Sequence, residues 1–201
     1  MALPLEGKLT RKSTVPVADI FLNRWSPRAL SGEKLTPEEL LPLFEAARWA
    51  PSSYNNQPWR FIVAERDTPE WETLFALLGE FNQQWCKNAG ALAVVISGNN
   101  FAYNGKPART HSFDTGSAWM SLALQANHLG LIAHGMEGFD YDRAKRDLQI
   151  PDEYTVEAMV AVGKPGEKSD LSEDLQKMEQ PSDRKPLGEM IFKGKFGQSF
   201  I

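Results

Sequence analysis

The sequence predicts an α+β fold: a central mixed β-sheet flanked by helices, within a single domain. Three observations carry the prediction. Short β-type runs (Trp59–Ala64, Ala91–Ser97, Leu131–His134, Val156–Val162) alternate with longer stretches of helical periodicity. The helical stretches carry start and stop residues, such as Thr36-Pro37 and Gly130. Beyond Gly163 the chain turns polar, so residues 164–201 read as an extended C-terminal arm on a core of residues 15–163. Such an arm either wraps a partner subunit or stays partly disordered.

In chain order, residues 1–15 read as loosely ordered and Val15–Leu22 as a first helix. The next helix has Thr36 as cap, Pro37 at its first position and Glu39 completing a capping box. Leu40, Leu43, Phe44 and Ala47 form its apolar stripe, and Pro51 stops it. Helices are expected over Trp71–Leu78 and Phe81–Lys87, and a long loop over Gly98–His111. Asp114 or Ser112 is expected to cap the most buried helix, in which Ala118, Trp119, Leu122, Ala126 and Leu129 face one way. Gly130 ends that helix, and Asp140 caps another that stops before Pro151.

Composition narrows the function classes. The chain has a net charge of −4, which offers no general attraction for a nucleic-acid backbone. No apolar run is long enough to cross a membrane, and the N-terminus has no secretory h-region, so a cytoplasmic setting is expected. One Cys and three His are too few for a disulfide framework or a convincing zinc or iron site, so no metal is expected. No G-x-G-x-x-G, Walker or G-x-S-x-G pattern occurs. Cys86 reads as a small buried side chain and His128 as structural.

Three segments are more polar and more rigid than connectors need to be. Arg24-Trp25-Ser26-Pro27-Arg28 places two forked guanidinium groups and a hydroxyl on a stiff turn, which suits a phosphate; a solvated turn would look the same. Pro51-Ser52-Ser53-Tyr54-Asn55-Asn56-Gln57-Pro58-Trp59 offers hydroxyls and carboxamides that suit the edge of a flat heteroaromatic ring, or an ordinary polar connector. In His134-Gly135-Met136-Glu137-Gly138-Phe139-Asp140, glycines free the backbone for close approach of N–H donors to a ligand, or simply make a strand-to-helix bend.

Taken in order, these segments resemble the nitroreductase family from about Phe21 to the Arg184 region. The resemblance implies a homodimer with FMN bound at the subunit interface. Arg24, Trp25, Ser26 and Arg28 would hold the phosphate and ribityl chain. Pro51, Ser52, Ser53 and Asn55, from the other subunit, would line the ring, with Gln57 nearby. Asn82 would touch the pyrimidine edge, and Met136, Glu137 and Gly138 would put backbone donors near the flavin N5. Arg184 matches a further phosphate-binding arginine, with Lys185 as a substitute. Two positions depart from the family pattern: Trp85 stands where several relatives carry lysine near the ring, and Glu137 where a similar subgroup carries glycine.

The function so implied is transfer of hydride from NADH or NADPH through FMN to a small organic acceptor such as a nitroaromatic, quinone or enone, with the flavin carrying the chemistry. The same fold also serves reductive dehalogenation and flavin cleavage. The same residues would equally suit a flavin-binding module without turnover, or an interaction protein in which the dimer arm matters most.

Overall fold

The computed structural model describes residues 6–201. Its helices are α1 (Asp19–Asn23), α2 (Pro37–Arg48), α3 (Pro69–Phe75), α4 (Glu80–Cys86), α5 (His111–His128), α6 (Tyr141–Asp147) and α7 (Glu173–Met178). Its strands are β1 (Trp59–Glu65), β2 (Ala91–Gly98), β3 (Ile132–Met136) and β4 (Tyr154–Gly163). The strands lie in the order β1-β2-β4-β3, and every pairing is antiparallel. The α+β class therefore stands, but the sheet is not mixed.

Strand alternation splits the core into two. Leu92, Val94 and Ile96 of β2 pack with Trp71, Leu74, Trp85 and Ala144 from α3, α4 and α6. Ala91, Ala93 and Val95 point the other way, against Leu40, Leu43 and Ala47 of α2 and Ala118, Leu122 and Ala126 of α5. With helices on both faces, β2 is buried almost end to end. Near-continuous apolar runs are usual for parallel strands; here an antiparallel sheet produces them by lying inside a three-layer sandwich.

Local chemistry explains the boundaries. Thr36 and Glu39 form the expected capping box of α2. Thr68 caps α3 with Pro69 following, which starts that helix before Trp71. Asp140 accepts from the Arg143 N–H at the start of α6. Two expectations need correction. The first helix is only Asp19–Asn23 and buries none of its residues, because Val15-Pro16-Val17 favours extended backbone. Neither Asp114 nor Ser112 caps α5, which starts at His111; Asp114 lies buried in its first turn. Of the expectation for residues 1–15, the part on residues 1–5 lies outside the described residues. Residues 6–15 contain one 3-10 turn, Gly7–Leu9.

The polar tail also needs correction, since its first part is not a loose arm. Leu171 and Leu175 join the core, and Glu179 is 3% exposed. The Glu179 carboxylate accepts the backbone N–H groups of Arg28 (2.7 Å) and Ala29 (2.8 Å). Gly166 N–H donates to Ala29 O at 2.9 Å, and Ser31 N–H to Lys164 O at 3.0 Å. The tail thus clamps the arginine-bearing stretch to the domain.

His134 of β3 clamps the same stretch from the other side. Its Nδ1 lies 2.9 Å from Pro27 O. A carbonyl only accepts, so Nδ1 carries the proton and the ring is held as one neutral tautomer. The imidazole also packs on Trp85 at 4.5 Å. Burial above all pulls its pKa down from 6.5 to about 4, against the opposing pull of the Pro27 bond. A base whose folded pKa is depressed contributes stability above its unfolded pKa and loses it as pH falls. We expect up to about 3 kcal/mol of stability to be lost between pH 6.5 and about 4. Urea midpoints measured across that window should fall more steeply for the parent than for His134→Gln. Parallel curves would show that His134 is not the source.

Candidate functional site

Arg24–Arg28 form the irregular stretch after α1, fixed by the Glu179, Gly166 and His134 contacts. A cavity of about 270 Å³ opens beside it, lined by Arg11, Arg24, Arg28 and Arg184 together with Trp25, Ser26, Ser182 and His134. Among the described residues, no Asp or Glu lines this cavity. Arg11 is anchored by bonds to Leu22 O (3.1 Å), Arg24 O (2.7 Å) and Ser182 O (2.9 Å). Arg24 donates to Ser26 Oγ at 3.3 Å.

The electrostatics of this lining favour an anion. Burial, and then the nearby Arg184 charge, lower the pKa of both Arg11 and Arg24, with Arg24 a further cause for Arg11. Arg28 Nε and Trp25 Nε1 are buried without a hydrogen-bond partner. Orphaned buried donors cost about 1–3 kcal/mol each. A phosphate, with several acceptor oxygens and negative charge, would satisfy the donors and relieve the repulsion. Lys185, the expected substitute for Arg184, does not line the cavity; it faces Glu189 at 4.0 Å near the surface.

A second cavity, of about 480 Å³, shares Arg24 and Ser26 with the first. Its walls come from Trp119, Met120 and Ala123 of α5, Gly135, Met136 and Glu137 around the end of β3, Tyr141 of α6, and Glu157 and Ala158 of β4. Gly135 is required by packing: a Cβ there would lie 3.0 Å from Trp119 Cζ2. Gly138 is similarly confined, with a Cβ meeting Asn82 Nδ2 at 2.8 Å. Asn82 itself donates to Gly138 O at 2.9 Å. It braces the Glu137–Gly138 turn and lines neither cavity. Burial first, then Glu137 and Glu157, push the Tyr141 phenol up.

The amide-rich loop lies elsewhere in the chain. Ser53 N–H donates to Asp114 Oδ2 at 3.0 Å, and Gln57 N–H to Ser52 Oγ at 3.0 Å. Asn56 bonds the 98–110 loop through Asn100 O and Ala102 N–H. Tyr54, Asn55 and Gln57 all take positive φ, of 52°, 52° and 48°. Pro51, Ser52, Ser53, Asn55 and Gln57 line neither arginine-bearing cavity. Trp85, read as a departure near the ring, is core at 1% exposure.

Sequence reasoning missed Arg11, which sits in a stretch with no motif, and the cavity roles of Trp119, Met120, Tyr141 and Glu157. The helical stripe of α5 was legible, but not that one edge of it would face a cavity. Cys86 is buried as expected, and burial pushes its thiol pKa up.

Comparison with known proteins agrees with this architecture. A solved structure described as an oxidoreductase containing FMN superposes with a TM-score of 0.89 at 48% identity, covering 94% of this chain and 97% of that one. Protein DrgA of Synechocystis is 28% identical over 187 residues, covering 79% of this chain and 86% of the relative. The major NAD(P)H-flavin oxidoreductase of Aliivibrio fischeri is 33% identical over 93 residues, covering 45% of this chain and 42% of its own. The model of the Nitroreductase family matches residues 22–164, from the end of α1 to just past β4, and the chain belongs to that family.

Proposed function

We propose that this chain is an FMN-dependent oxidoreductase that takes hydride from NADH or NADPH and passes it to a small organic acceptor such as a nitroaromatic, quinone or enone. The observation that carries the reading is the basic cavity: four arginines, orphaned buried donors and no lining acid, sharing Arg24 and Ser26 with a larger cavity whose walls are aromatic and apolar apart from these two residues, Glu137 and Glu157. FMN has that shape, a phosphate joined by a polar chain to a flat ring. Its likeness to an FMN-containing oxidoreductase at 48% identity supports the assignment.

Arg24, Arg28 and Arg184 would grip the phosphate, with Arg11 behind them and Ser26 toward the ribityl chain. Trp25 would offer its indole N–H there. Met136, Glu137 and Gly138 would present backbone to the ring, in a turn that Asn82 braces. When bound, FMN supplies the ring that accepts hydride. The protein's share is to anchor the phosphate, keep the ring wall rigid and exclude bulk water behind it.

The Pro51–Gln57 loop enters this reading through a second copy of the chain. It lines neither of the two cavities that share Arg24 and Ser26, yet its positive-φ backbone is tied down through Asp114 and Asn56. Exposed apolar residues on α5, including Phe113 and Met120, support a homodimer whose partner brings Ser52, Ser53 and Asn55 to the ring. Residues beyond Arg184 would form the arm that reaches across. Among the described residues no helix is long and apolar enough to cross a membrane. We place the enzyme in the cytoplasm, where its nicotinamide reductant is supplied.

The purified protein should be yellow and should bleach anaerobically on addition of NADH or NADPH; a colourless protein that takes up no FMN defeats the reading. Arg24→Ala and Arg28→Ala should each weaken FMN binding by roughly ten- to a hundredfold, since a hydrogen bond to a charged group contributes about 1.5–3 kcal/mol. Fluorescence titration of FMN-free protein measures this, and unchanged affinity would remove the phosphate from that cavity. In sedimentation the protein should run as a dimer. Asn55→Ala should perturb the flavin spectrum while leaving the basic cavity intact.

A further inference from the structure

Glu157 lies at the register shift between β2 and β4. Val95 pairs with Ala158 and Ile96 with Val156, so Glu157 is the extra residue of a β-bulge. A bulge re-aims its extra side chain out of the strict alternation of a strand. Here Glu157 lines the larger cavity, and a chain of hydrogen bonds leads away from it. Ser97 Oγ donates to Glu157 Oε1 at 2.5 Å and meets His111 Nδ1 at 2.7 Å. Ser112 Oγ donates to the same carboxylate oxygen at 2.7 Å. Ser97 is wholly buried, whereas the His111 and Glu157 side chains are 23% and 22% exposed, with Nδ1 and Oε1 3.5 Å apart. Among the described residues, none hydrogen-bonds Glu157 Oε2. The array therefore runs from a solvent-reached imidazole, through a buried hydroxyl, to a carboxylate with an unengaged oxygen at the cavity.

We propose that Glu157 is the acid that delivers the proton consumed in each reduction, and that Ser97 and His111 refill it from solvent. The proposal rests on the flavoenzyme reading above. Hydride from the nicotinamide carries two electrons and one proton. An acceptor that leaves with two added hydrogens needs one more proton. The Glu157 carboxyl O–H bond breaks as the new bond to the acceptor's heteroatom forms, leaving a carboxylate. Ser97 then passes its hydroxyl proton to that carboxylate while taking one from protonated His111 at Nδ1. His111 recovers its proton from water.

The other polar groups at the cavity leave Glu157 Oε2 without a hydrogen bond among the described residues. The groups facing Glu157 are Ser97 from β2, His111 and Ser112 from α5, Glu137 beyond β3, Tyr141 from α6, and Arg24 across the cavity. Arg24 forms no ion pair with Glu157 among the described residues; its hydrogen bond goes to Ser26. Tyr141 hydrogen-bonds only the Glu157 backbone carbonyl, at 3.5 Å. In this scheme Ser97 and His111 are positioning residues that act through Glu157.

The test compares the holoenzyme with Glu157→Gln, which keeps the shape and an oxygen acceptor but cannot supply the proton. FMN content and the rate of bleaching by NADH should stay within about twofold, while turnover with a quinone should fall at least tenfold, within the range expected for losing a positioned acid. The pH dependence of kcat should lose an ionisation. Ser97→Ala should give a smaller loss, and it stands in if Glu157→Gln does not fold. A second readout needs no flavin: in FMN-free protein, the His111 ring NMR resonances should change in both Ser97→Ala and Glu157→Gln, because Nδ1 is joined to the carboxylate through the Ser97 hydroxyl. Unchanged quinone turnover and pH profile overturn the proposal, as do unmoved His111 resonances in both variants. Should the parent take up no FMN, the flavoenzyme reading falls, and the His111 resonances alone decide whether the hydrogen-bonded array exists.

Discussion

Four guanidinium groups are held around one small cavity, and the rest of the structure can be understood as what makes this possible. Like charges at such separations repel, and burial weakens the solvent's ability to screen them. Arg11 and Arg24 show the cost directly in their lowered pKa values. The arrangement persists because the backbone carrying it is fixed independently of the charges. Glu179 binds the N–H groups of Arg28 and Ala29, His134 binds Pro27, and Gly166 pairs with Ala29. Glu179 spends one carboxylate oxygen on these backbone donors and makes no ion pair with the guanidinium groups among the described residues.

Below that site the three-layer core sets which wall is rigid and which is open. Half of each central strand packs against α3, α4 and α6, and half against α2 and α5. The first half of β4, from Tyr154 to Ala158, escapes full burial, and the bulge and the larger cavity occur in that half. The larger cavity therefore sits where the sheet stops being covered, on a strand whose other half is buried.

Much of this was legible in the sequence because the cues are local. Thr36-Pro37 with Glu39, Asp140, and the apolar runs of β1, β2 and β4 report on their own few residues. The Arg24–Arg28 and His134–Gly138 segments stood out for the same reason, and both line cavities. What stayed hidden depends on long-range pairing. Strand direction is not encoded in an apolar run, so the antiparallel sheet could not be read from burial alone. Arg11 becomes a site residue only by meeting Ser182, and Glu157 only through a register shift against β2. The tail looked too polar to pack, yet two leucines and a glutamate with backbone partners were enough to dock its first part.

Arg11 and Ser182 are 171 positions apart, and their contact closes the basic cavity from both ends of the chain. A ribosome releases Arg11 long before Ser182, so the cavity is incomplete until Ser182 has emerged. Closing so long a loop carries an entropic cost that only the finished core can offset. A product terminated before Ser182 would keep the sequence of all four strands yet lack one wall of the basic cavity.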